Sequence, residues 1–258
     1  MTEPGRFAGR VAIVTGGAGG MGTAAARRLV AEGAKVALVD RDQAALDVVA
    51  RELGDRVLPI VADVTVEADV VNYVAVTRER LGRIDHFFNN AGIAGTVAPI
   101  TELSLADVQQ AMAVNLYGAF MGLREVLLVM REQGSGGTVV NTASTSSVRA
   151  VYGTAPYVLS KHAVAGLTLQ GALDAAPYGV RVNAVAPGGT DTNMLAGILK
   201  DRDPDDIDAA KAAMTARVAL GRLGRPEEIA NLVVWLLSDE SSYVTGSVYL
   251  IDGGLRAN

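Results

Sequence analysis

Hydrophobic residues follow two alternating patterns along the chain. Short runs rich in valine and isoleucine, apolar continuously rather than at every second position, are typical of strands that helices cover on both faces of a parallel sheet. Seven such strands are predicted, at Val11–Thr15, Lys35–Asp40, Val57–Val61, Ile84–Asn89, Gly137–Thr142, Val180–Ala186 and Ser247–Ile251. Longer segments between them carry apolar residues at helical spacing. They predict helices at Gly22–Glu32, Asp42–Leu53, Glu67–Leu81, Ala106–Arg131, Pro156–Ala176 and Pro226–Leu237.

This order of elements predicts the fold class. Strands alternating with helices indicate an α/β protein with a doubly wound (Rossmann-type) seven-stranded parallel sheet, helices on both faces and right-handed crossovers. A chain of 258 residues can form one domain over 1–258, since it can bury roughly three quarters of its unfolded surface. The regular alternation of strands and helices is interrupted after the sixth strand, where a long segment predicts a substrate lid at about 189–224.

Composition removes several function classes. The chain has no cysteine and two histidines, which excludes a disulfide framework, a cysteine-ligated zinc and a thiol nucleophile, and makes a metal centre unexpected. Its 23 basic residues are dispersed among 28 acidic ones, so we expect no nucleic-acid partner. Apolar runs fall short of the roughly 20 residues that a bilayer requires, and we expect a cytoplasmic protein with no membrane partner.

A glycine-rich turn follows the first predicted strand. The segment from Thr15 to Gly22 reads TGGAGGMG and leads into an alanine-rich helix. Glycines at a helix N-terminus let backbone N–H groups approach a pyrophosphate, although they also serve close packing. Two registers fit, Gly17-x-Gly19-x-x-Gly22 and the longer Gly16-x-x-x-Gly20-x-Gly22. We prefer the longer one because Thr15 precedes it at the strand end.

Acidic residues close the next two strands. Asp40 ends the second strand, where a carboxylate can hydrogen-bond the adenosine ribose and repel a 2′-phosphate, which favours NAD over NADP. Asp40 or Asp42 could instead cap the following helix. Arg41 argues the other way, because a guanidinium there could accommodate the phosphate. Asp63, after the third strand, could contact the adenine edge or cap the helix near Glu67.

A serine, a tyrosine and a lysine carry the candidate chemistry. Ser144 lies just beyond the fifth strand, and Tyr157 and Lys161 lie four residues apart on one helical face. A tyrosine titrates near pH 10, and a neighbouring ammonium together with a cationic nicotinamide would favour its phenolate. Tyr157 could instead be a core aromatic and Lys161 a surface charge. The two histidines have structural interpretations: His86 falls in a buried strand, where a satisfied core histidine is expected, and His162 points away from Lys161.

These residues, taken together with Asn89-Asn90-Ala91-Gly92, Asn115 and Pro187-Gly188, form an ordered set of motifs. From about Gly9 to Gly254 the sequence resembles the short-chain dehydrogenase/reductase family, in its shorter-subunit branch. The resemblance implies an NAD(H)-dependent oxidoreductase that interconverts a ketone and a secondary alcohol by hydride transfer. The catalytic set that it implies is Asn115, Ser144, Tyr157 and Lys161.

The resemblance also assigns roles. Tyr157 would be the general acid in reduction and the base in oxidation, Ser144 would bind the substrate oxygen, Lys161 would hold the nicotinamide ribose and Asn115 would anchor a water. Thr192 would contact the carboxamide, or would only cap a helix at Asn193–Leu199. The expected cofactor contacts are Gly16, Gly20, Met21, Gly22, Asp40, Arg41, Asp63, Val64, Asn90, Ala91, Gly92, Tyr157, Lys161, Pro187, Gly188, Thr190 and Thr192.

The candidate substrate pocket is mostly apolar, which predicts a neutral, moderately hydrophobic small molecule as substrate. Its expected residues are Ser144, Ser146, Val151, Tyr157, Gly189, Met194 and Leu195, with Thr145, Val148, Tyr152 and Ile198 as further candidates. The segments at 83–90 and 130–136 resemble family members that act on cyclic ketones or diketones. Family resemblance further implies a homotetramer, built from the two long helices and the C-terminal strand.

Other functions stay open at this point. A 3-oxoacyl-carrier-protein-type reductase is disfavoured, because residues 171–179 offer no lysine or arginine to meet an acidic carrier. A methyltransferase would share the glycine turn and Asp40 but would not need Tyr157 and Lys161. A non-catalytic dinucleotide-binding sensor would not need the catalytic set.

Overall fold

The structure, a computed structural model, describes residues 5–202 and 205–257. Residues 1–4 and 258 of the predicted domain, and residues 203 and 204 of the predicted lid, lie outside the described residues. Within the described part, the chain alternates strands and helices around one sheet. The strands are β1 Val11–Thr15, β2 Lys35–Asp40, β3 Val57–Val61, β4 His86–Asn89, β5 Gly137–Thr142, β6 Val180–Pro187 and β7 Val248–Ile251.

The helices lie in the connections between successive strands, three of them between the sixth and the seventh. They are α1 Gly20–Ala31, α2 Gln43–Leu53, α3 Glu67–Leu81, α4 Leu105–Met112, α5 Ala119–Gln133, α6 Ala155–Ala175, α7 Asn193–Arg202, α8 Ile207–Thr215 and α9 Pro226–Leu237. Of the helices that carry the core, α1, α2 and α9 pack on one face of the sheet and α3, α5 and α6 on the other. The predicted doubly wound α/β fold is therefore confirmed.

The sheet is parallel throughout, with the strand order β3-β2-β1-β4-β5-β6-β7. From β1 the sheet is extended first to one side, by β2 and β3, and then to the other side, beginning with β4. Ligands of open α/β sheets bind in the crevice at such a switch point. Thr15 ends β1 there, and its hydroxyl oxygen accepts a hydrogen bond from the backbone N–H of Asn90 at 2.9 Å. The carboxyl ends of the two central strands are thus tied together beside the crevice.

Several boundaries differ from the sequence predictions. The helix expected at Ala106–Arg131 is interrupted by a π-helical turn at Ala113–Gly118, which separates α4 from α5. Close packing explains the small residue at its end, since a Cβ added to Gly118 would lie 2.9 Å from Val64 Cγ2. The fourth strand begins at His86 rather than Ile84, and the first helix begins at Gly20 rather than Gly22.

Among the described residues, one helical run, Leu105–Gln133, is long and apolar enough to cross a membrane by length and composition. Core helices of folded domains pass the same test. Here Leu123, Val126 and Met130 of α5 are buried against the sheet in the core shared with α3 and α6. The apolar character of this run has a packing explanation.

Candidate active site

Ser144, Tyr157 and Lys161 come together at the carboxyl end of the sheet. Ser144 follows β5, and its Oγ accepts a hydrogen bond from Ser146 N at 3.0 Å and pairs with the Tyr157 hydroxyl. Tyr157 lies in the first turn of α6, and Lys161 follows one turn later. The Lys161 Nζ lies 5.6 Å from the centre of the Tyr157 ring and donates to the Thr142 carbonyl at 2.7 Å.

Burial decides the protonation of this group. Burial raises the pKa of Tyr157 above its usual value, and the hydrogen bond from Ser144 only partly opposes this. Burial lowers the pKa of Lys161 to about 8. Without cofactor, removal from water weakens both charged forms, so the phenolate is not favoured in this state. That Lys161 and a cationic nicotinamide together favour the phenolate stays a prediction. At neutral pH the phenol of Tyr157 is protonated.

Asn115 lies in the π-helical turn, a local geometry that is frequent at functional sites. Its Oδ1 accepts a hydrogen bond from Ile93 N at 2.8 Å, while its Nδ2 donates to Ile93 O and to Ser160 Oγ at 2.9 Å each. The side chain therefore fastens the loop after β4 to α6. Gly92 is held so close that an added Cβ would lie 3.1 Å from Asn115 Oδ1. Both amide hydrogens are engaged, so a water at Asn115 would have to donate to a carbonyl oxygen of this residue, in its backbone or its side chain.

A cavity of about 420 Å³ lies over the switch point, between the ends of β1, β2 and β4. Most of the predicted cofactor contacts line it: Gly16, Gly20, Met21, Asp40, Arg41, Asp63, Val64, Asn90, Ala91, Gly92 and Thr192. Further lining residues were not predicted as cofactor contacts, although Gly19 belongs to the alternative glycine register and Met194 was predicted for the substrate pocket: Gly19, Val39, Ala62, Thr65, Ile93, Val114, Asn193 and Met194. The other six belong to no predicted motif, so only the fold reveals them.

The glycine turn forms a cradle at one end of this cavity. Gly16 has φ of +62°, and an added Cβ would lie 3.0 Å from Ala91 Cα. The N-cap of α1 is Gly19, and no side chain caps the N-terminal N–H groups of that helix. These groups, with no acidic residue in the first turn, fit a pyrophosphate.

Gly22 has a different role from the one predicted. It does not line the cavity, and an added Cβ there would overlap the Gly16 carbonyl oxygen. Gly22 therefore lets α1 pack against the turn, while Gly16, Gly19 and Gly20 border the space. Of the two registers, the preferred longer one includes two glycines that face the cavity.

The acidic residues divide between capping and the cavity. Asp42, not Asp40, caps α2, since its Oδ1 accepts a hydrogen bond from Ala45 N at 3.0 Å. Asp40 lines the cavity, and its Oδ2 accepts from Ala18 N at 3.1 Å. The carboxylate is thereby fixed to the glycine turn. Arg41 is exposed and borders the same cavity.

Asp63 does not cap α3. Its Oδ1 accepts hydrogen bonds from the backbone N–H and the hydroxyl of Thr65 at 2.8 and 2.7 Å, which lower the pKa of the carboxyl. The N-cap of α3 is Val66, without a side-chain cap. The helix-cap alternative is wrong, and the position of Asp63 on the cavity wall is compatible with an adenine contact.

A second cavity, of about 390 Å³, contains the reacting groups Ser144 and Tyr157. Met21, Thr192 and Met194 line both cavities and so mark where they meet. Thr192 Oγ1 accepts a 3.4 Å hydrogen bond from Leu195 N, so it also caps α7. The predicted residues on this second wall are Ser144, Thr145, Ser146, Val151, Tyr157, Pro187, Gly188, Gly189, Thr190, Thr192, Met194, Leu195 and Ile198.

Two pocket candidates are wrong, and others were missed. Val148 and Tyr152 point outward, with 42% and 84% of their surface exposed, and neither lines the cavity. Helix α8 and the C-terminal segment reach the wall from distant parts of the chain, which no local pattern signals. The unpredicted lining residues are Thr142, Ala143, Arg149, Thr154, Leu199, Ala210, Ala213, Met214, Arg217 and Leu255.

The predicted lid region folds as α7 and α8 over the second cavity. Leu195 and Leu199 of α7 form a small core with Leu223, against which Met214 of α8 packs. The same cluster supplies much of the apolar wall of the cavity. Opening of the lid would therefore have to separate these packed apolar side chains.

The fold, the glycine cradle and the catalytic group define a dinucleotide-dependent oxidoreductase class. Residues 16–256 match the family model described as enoyl-(acyl carrier protein) reductase. The chain belongs to the short-chain dehydrogenase/reductase family, as its motifs predicted.

Relatives cover nearly the whole chain. It is 44% identical over 257 residues to levodione reductase of Leifsonia aquatica, covering 98% of this chain and 96% of the relative. It is 39% identical over 253 residues to cis-4-hydroxycyclohexanecarboxylate dehydrogenase of Sinomonas cyclohexanicum, covering 97% and 98%.

Solved structures of related enzymes also match nearly the whole chain. The crystal structure of levodione reductase superimposes with a TM-score of 0.95 at 44% identity, over 97% of this chain and 99% of that one. NAD⁺-bound xylitol dehydrogenase superimposes with a TM-score of 0.92 at 35% identity, over 96% and 99%. These relatives and neighbours are named as dehydrogenases and reductases.

Proposed function

We propose that the protein is an NAD(H)-dependent oxidoreductase that interconverts a cyclic secondary alcohol and its ketone, with Tyr157 as general acid and base. One observation carries the proposal: the hydroxyl-bearing side chains of Ser144 and Tyr157 lie together on the wall of a mostly apolar cavity that adjoins the glycine cradle. A substrate oxygen between these hydroxyls would be oriented and given a proton without any metal ligand.

The proton chemistry follows from the chain's own groups. In reduction, the neutral Tyr157 phenol donates its proton to the substrate oxygen while Ser144 Oγ donates a second hydrogen bond that holds that oxygen. In oxidation, Tyr157 receives the hydroxyl proton. The Tyr157 phenolate left by reduction would be stabilised by the Lys161 ammonium, and it would take its proton back from solvent through a water held by a carbonyl oxygen of Asn115. The bound nicotinamide dinucleotide supplies or accepts the hydride.

The cofactor would be held by the cradle and the crevice. Gly16, Gly19 and Gly20 would face the pyrophosphate, and Asp40 would accept hydrogen bonds from the adenosine ribose. A 2′-phosphate would meet the Asp40 carboxylate, which supports NAD over NADP. Among the described residues that line this cavity, Arg41 is the one basic side chain, and it favours the phosphate.

The relatives and the cavity both support a cyclic alcohol or ketone as the substrate. The relatives named above act on levodione and on a cyclohexanecarboxylate. A cavity of about 390 Å³ with leucine, isoleucine, valine and methionine walls accommodates a substituted six-membered ring. A carrier-protein substrate finds no basic residue in 171–179, and a purely sensory role would leave the Ser144–Tyr157 pair without use.

We also propose a cytoplasmic homotetramer. Helices α5 and α6 leave large apolar side chains outside, including Phe120, Leu169 and Leu173, at 49%, 54% and 73% exposure. A groove of about 260 Å³ runs between the same two helices. Exposed apolar patches of this kind are common at protein interfaces.

The experiment is a spectrophotometric assay of NADH and NADPH consumption against cyclic and linear ketones, and of NAD⁺ reduction with the corresponding alcohols. NADH oxidation with a cyclic ketone above the linear ones is expected. Binding of NADH with no turnover of any ketone or alcohol would contradict the catalytic proposal and favour a dinucleotide sensor.

A further inference from the structure

The wall of the substrate cavity carries basic residues and, among the described residues, no acidic ones. Two guanidinium groups, Arg149 and Arg217, line it, whereas no aspartate or glutamate of the described residues does. The chain as a whole carries 28 acidic and 23 basic residues, so an acid-free wall with two arginines is not what overall composition would give. The rest of the wall is mostly apolar.

Arg149 is the more informative of the two. It lies between Ser144 and Tyr157 in the sequence, on the same cavity wall, and is half-buried. Its Nη1 donates a hydrogen bond to the Leu255 carbonyl at 3.1 Å, and within residues 5–202 and 205–257 the structure gives it no carboxylate partner. An arginine has five N–H donors, so most of this fork remains for a ligand.

We infer that the substrate carries an anionic group, in particular a carboxylate, which pairs with Arg149. The inference rests on the proposed function and refines it. A guanidinium fork matches a carboxylate with two parallel hydrogen bonds, and the attraction is stronger in a partly enclosed apolar cavity than in water.

The pairing has a consequence for the reaction. With the reacting oxygen held at Ser144 and Tyr157 and the anion held at Arg149, a ring is fixed at two points. These two contacts limit the orientations in which the ring can meet the cofactor cavity. Arg149 is therefore a specificity-determining residue, and the neutral substrate expected from the apolar residues alone gives way to an apolar ring with a charged substituent.

Two other roles for Arg149 make different predictions. It could only anchor the C-terminal segment through the Leu255 carbonyl, in which case the charge of the substrate would be immaterial. It could also donate to a second, neutral carbonyl of the substrate. A carboxylate and a carboxamide of the same skeleton separate all three roles, because they have nearly the same shape and both contain a carbonyl oxygen.

The test compares cyclohexanone bearing a carboxylate at C4 with its carboxamide, in the wild-type enzyme. We expect kcat/KM to be higher for the carboxylate by roughly 10- to 100-fold, as for a hydrogen bond to a charged group. Added salt should shrink this preference. Arg149→Gln should remove it by lowering the carboxylate value alone, and Arg149→Lys should keep part of it, since the charge remains but the fork is lost.

Arg56→Gln is the matched control. Arg56 also donates from Nη1 to a backbone carbonyl, Gly33 O at 3.0 Å, but it is exposed and lies at the opposite end of the sheet from the cavity. It should leave both substrates unaffected. Equal wild-type kcat/KM for the two ketones, or an Arg149→Gln variant that loses both alike, would overturn the inference while the proposed function stands. Failure of both ketones and of every other ketone would sink the proposed function as well.

Discussion

The Lys161 ammonium lies 5.6 Å from the centre of the Tyr157 ring and gives a hydrogen bond to the Thr142 carbonyl at the end of β5. The lysine is thus fixed to the sheet, and the tyrosine, one helical turn away, is fixed to Ser144. Burial acts on both, raising the pKa of the phenol and lowering that of the ammonium to about 8. In this state the group is poised as an acid.

The two reaction directions should therefore respond oppositely to pH. Ketone reduction needs the protonated phenol and the charged Lys161, so its kcat/KM should be flat below about pH 8 and fall above it. Alcohol oxidation needs the phenolate of Tyr157, so its kcat/KM should rise between about pH 6 and about pH 9. Steady-state kinetics in both directions checks this, and an oxidation rate that does not change between about pH 6 and about pH 9 would contradict it.

Replacing Asp40 should change the choice of coenzyme. In Asp40→Ser the carboxylate that would repel a 2′-phosphate is gone while Arg41 remains, so the ratio of kcat/KM with NADPH to that with NADH should rise by roughly tenfold or more. Asp42→Ala is the control: it removes the cap of α2 and should cost about 1 kcal/mol in unfolding free energy without moving the ratio. An unchanged ratio in Asp40→Ser would mean that another group selects the coenzyme.

Acid stability should depend on one buried histidine. Burial lowers the pKa of His86 in the folded protein to about 4, against 6.5 for the free side chain. Between these values the unfolded chain binds more protons, so the free energy of unfolding should fall as pH falls from about 6.5, by up to about 3 kcal/mol. Urea unfolding at several pH values measures this slope.

His86→Gln should flatten that slope, since glutamine does not titrate. The chain's other histidine provides the comparison, because His162 is exposed and His162→Gln should leave the slope unchanged. A wild-type slope that survives in His86→Gln would assign the acid sensitivity to other groups.

The exposed apolar face of α5 and α6 should be where subunits meet. Light scattering at micromolar concentration should give a mass near four subunits, and Leu173→Glu should reduce it by placing a charge in the contact. Val48→Glu, on α2 with 58% exposure, is a matched change elsewhere on the surface and should leave the mass unchanged. A monomeric wild type would contradict the proposed assembly.

The fold was predictable because its signals are local and repeated. Each strand is a short apolar run of β-branched residues and each helix has its own spacing, so most element boundaries lie within two residues of those predicted. The π-helical turn at Ala113–Gly118 was not predictable, since one extra residue in a helical turn has no sequence signature. The partial pairing of His86 was not predictable either: Thr138 contacts one ring nitrogen and the other has no hydrogen-bond partner in the structure.

The candidate site divides in the same way. Residues with distinctive chemistry at fixed spacing, such as Tyr157 and Lys161, could be found from the sequence. The protonation of that pair could not, because it depends on how much water the fold removes. Arg149 was visible between Ser144 and Tyr157, but nothing local distinguishes an arginine that faces a cavity from one that faces solvent.

The most direct test of the central claim is Tyr157→Phe, which removes the proton-donating hydroxyl and keeps the ring. NADH binding, followed by its fluorescence, should stay within roughly threefold of wild type, while kcat for ketone reduction should fall by roughly 10²- to 10⁴-fold. A Tyr157→Phe enzyme that reduces the ketone with a kcat close to the wild-type value would contradict the role of Tyr157 as proton donor, because the proton would then come from another group.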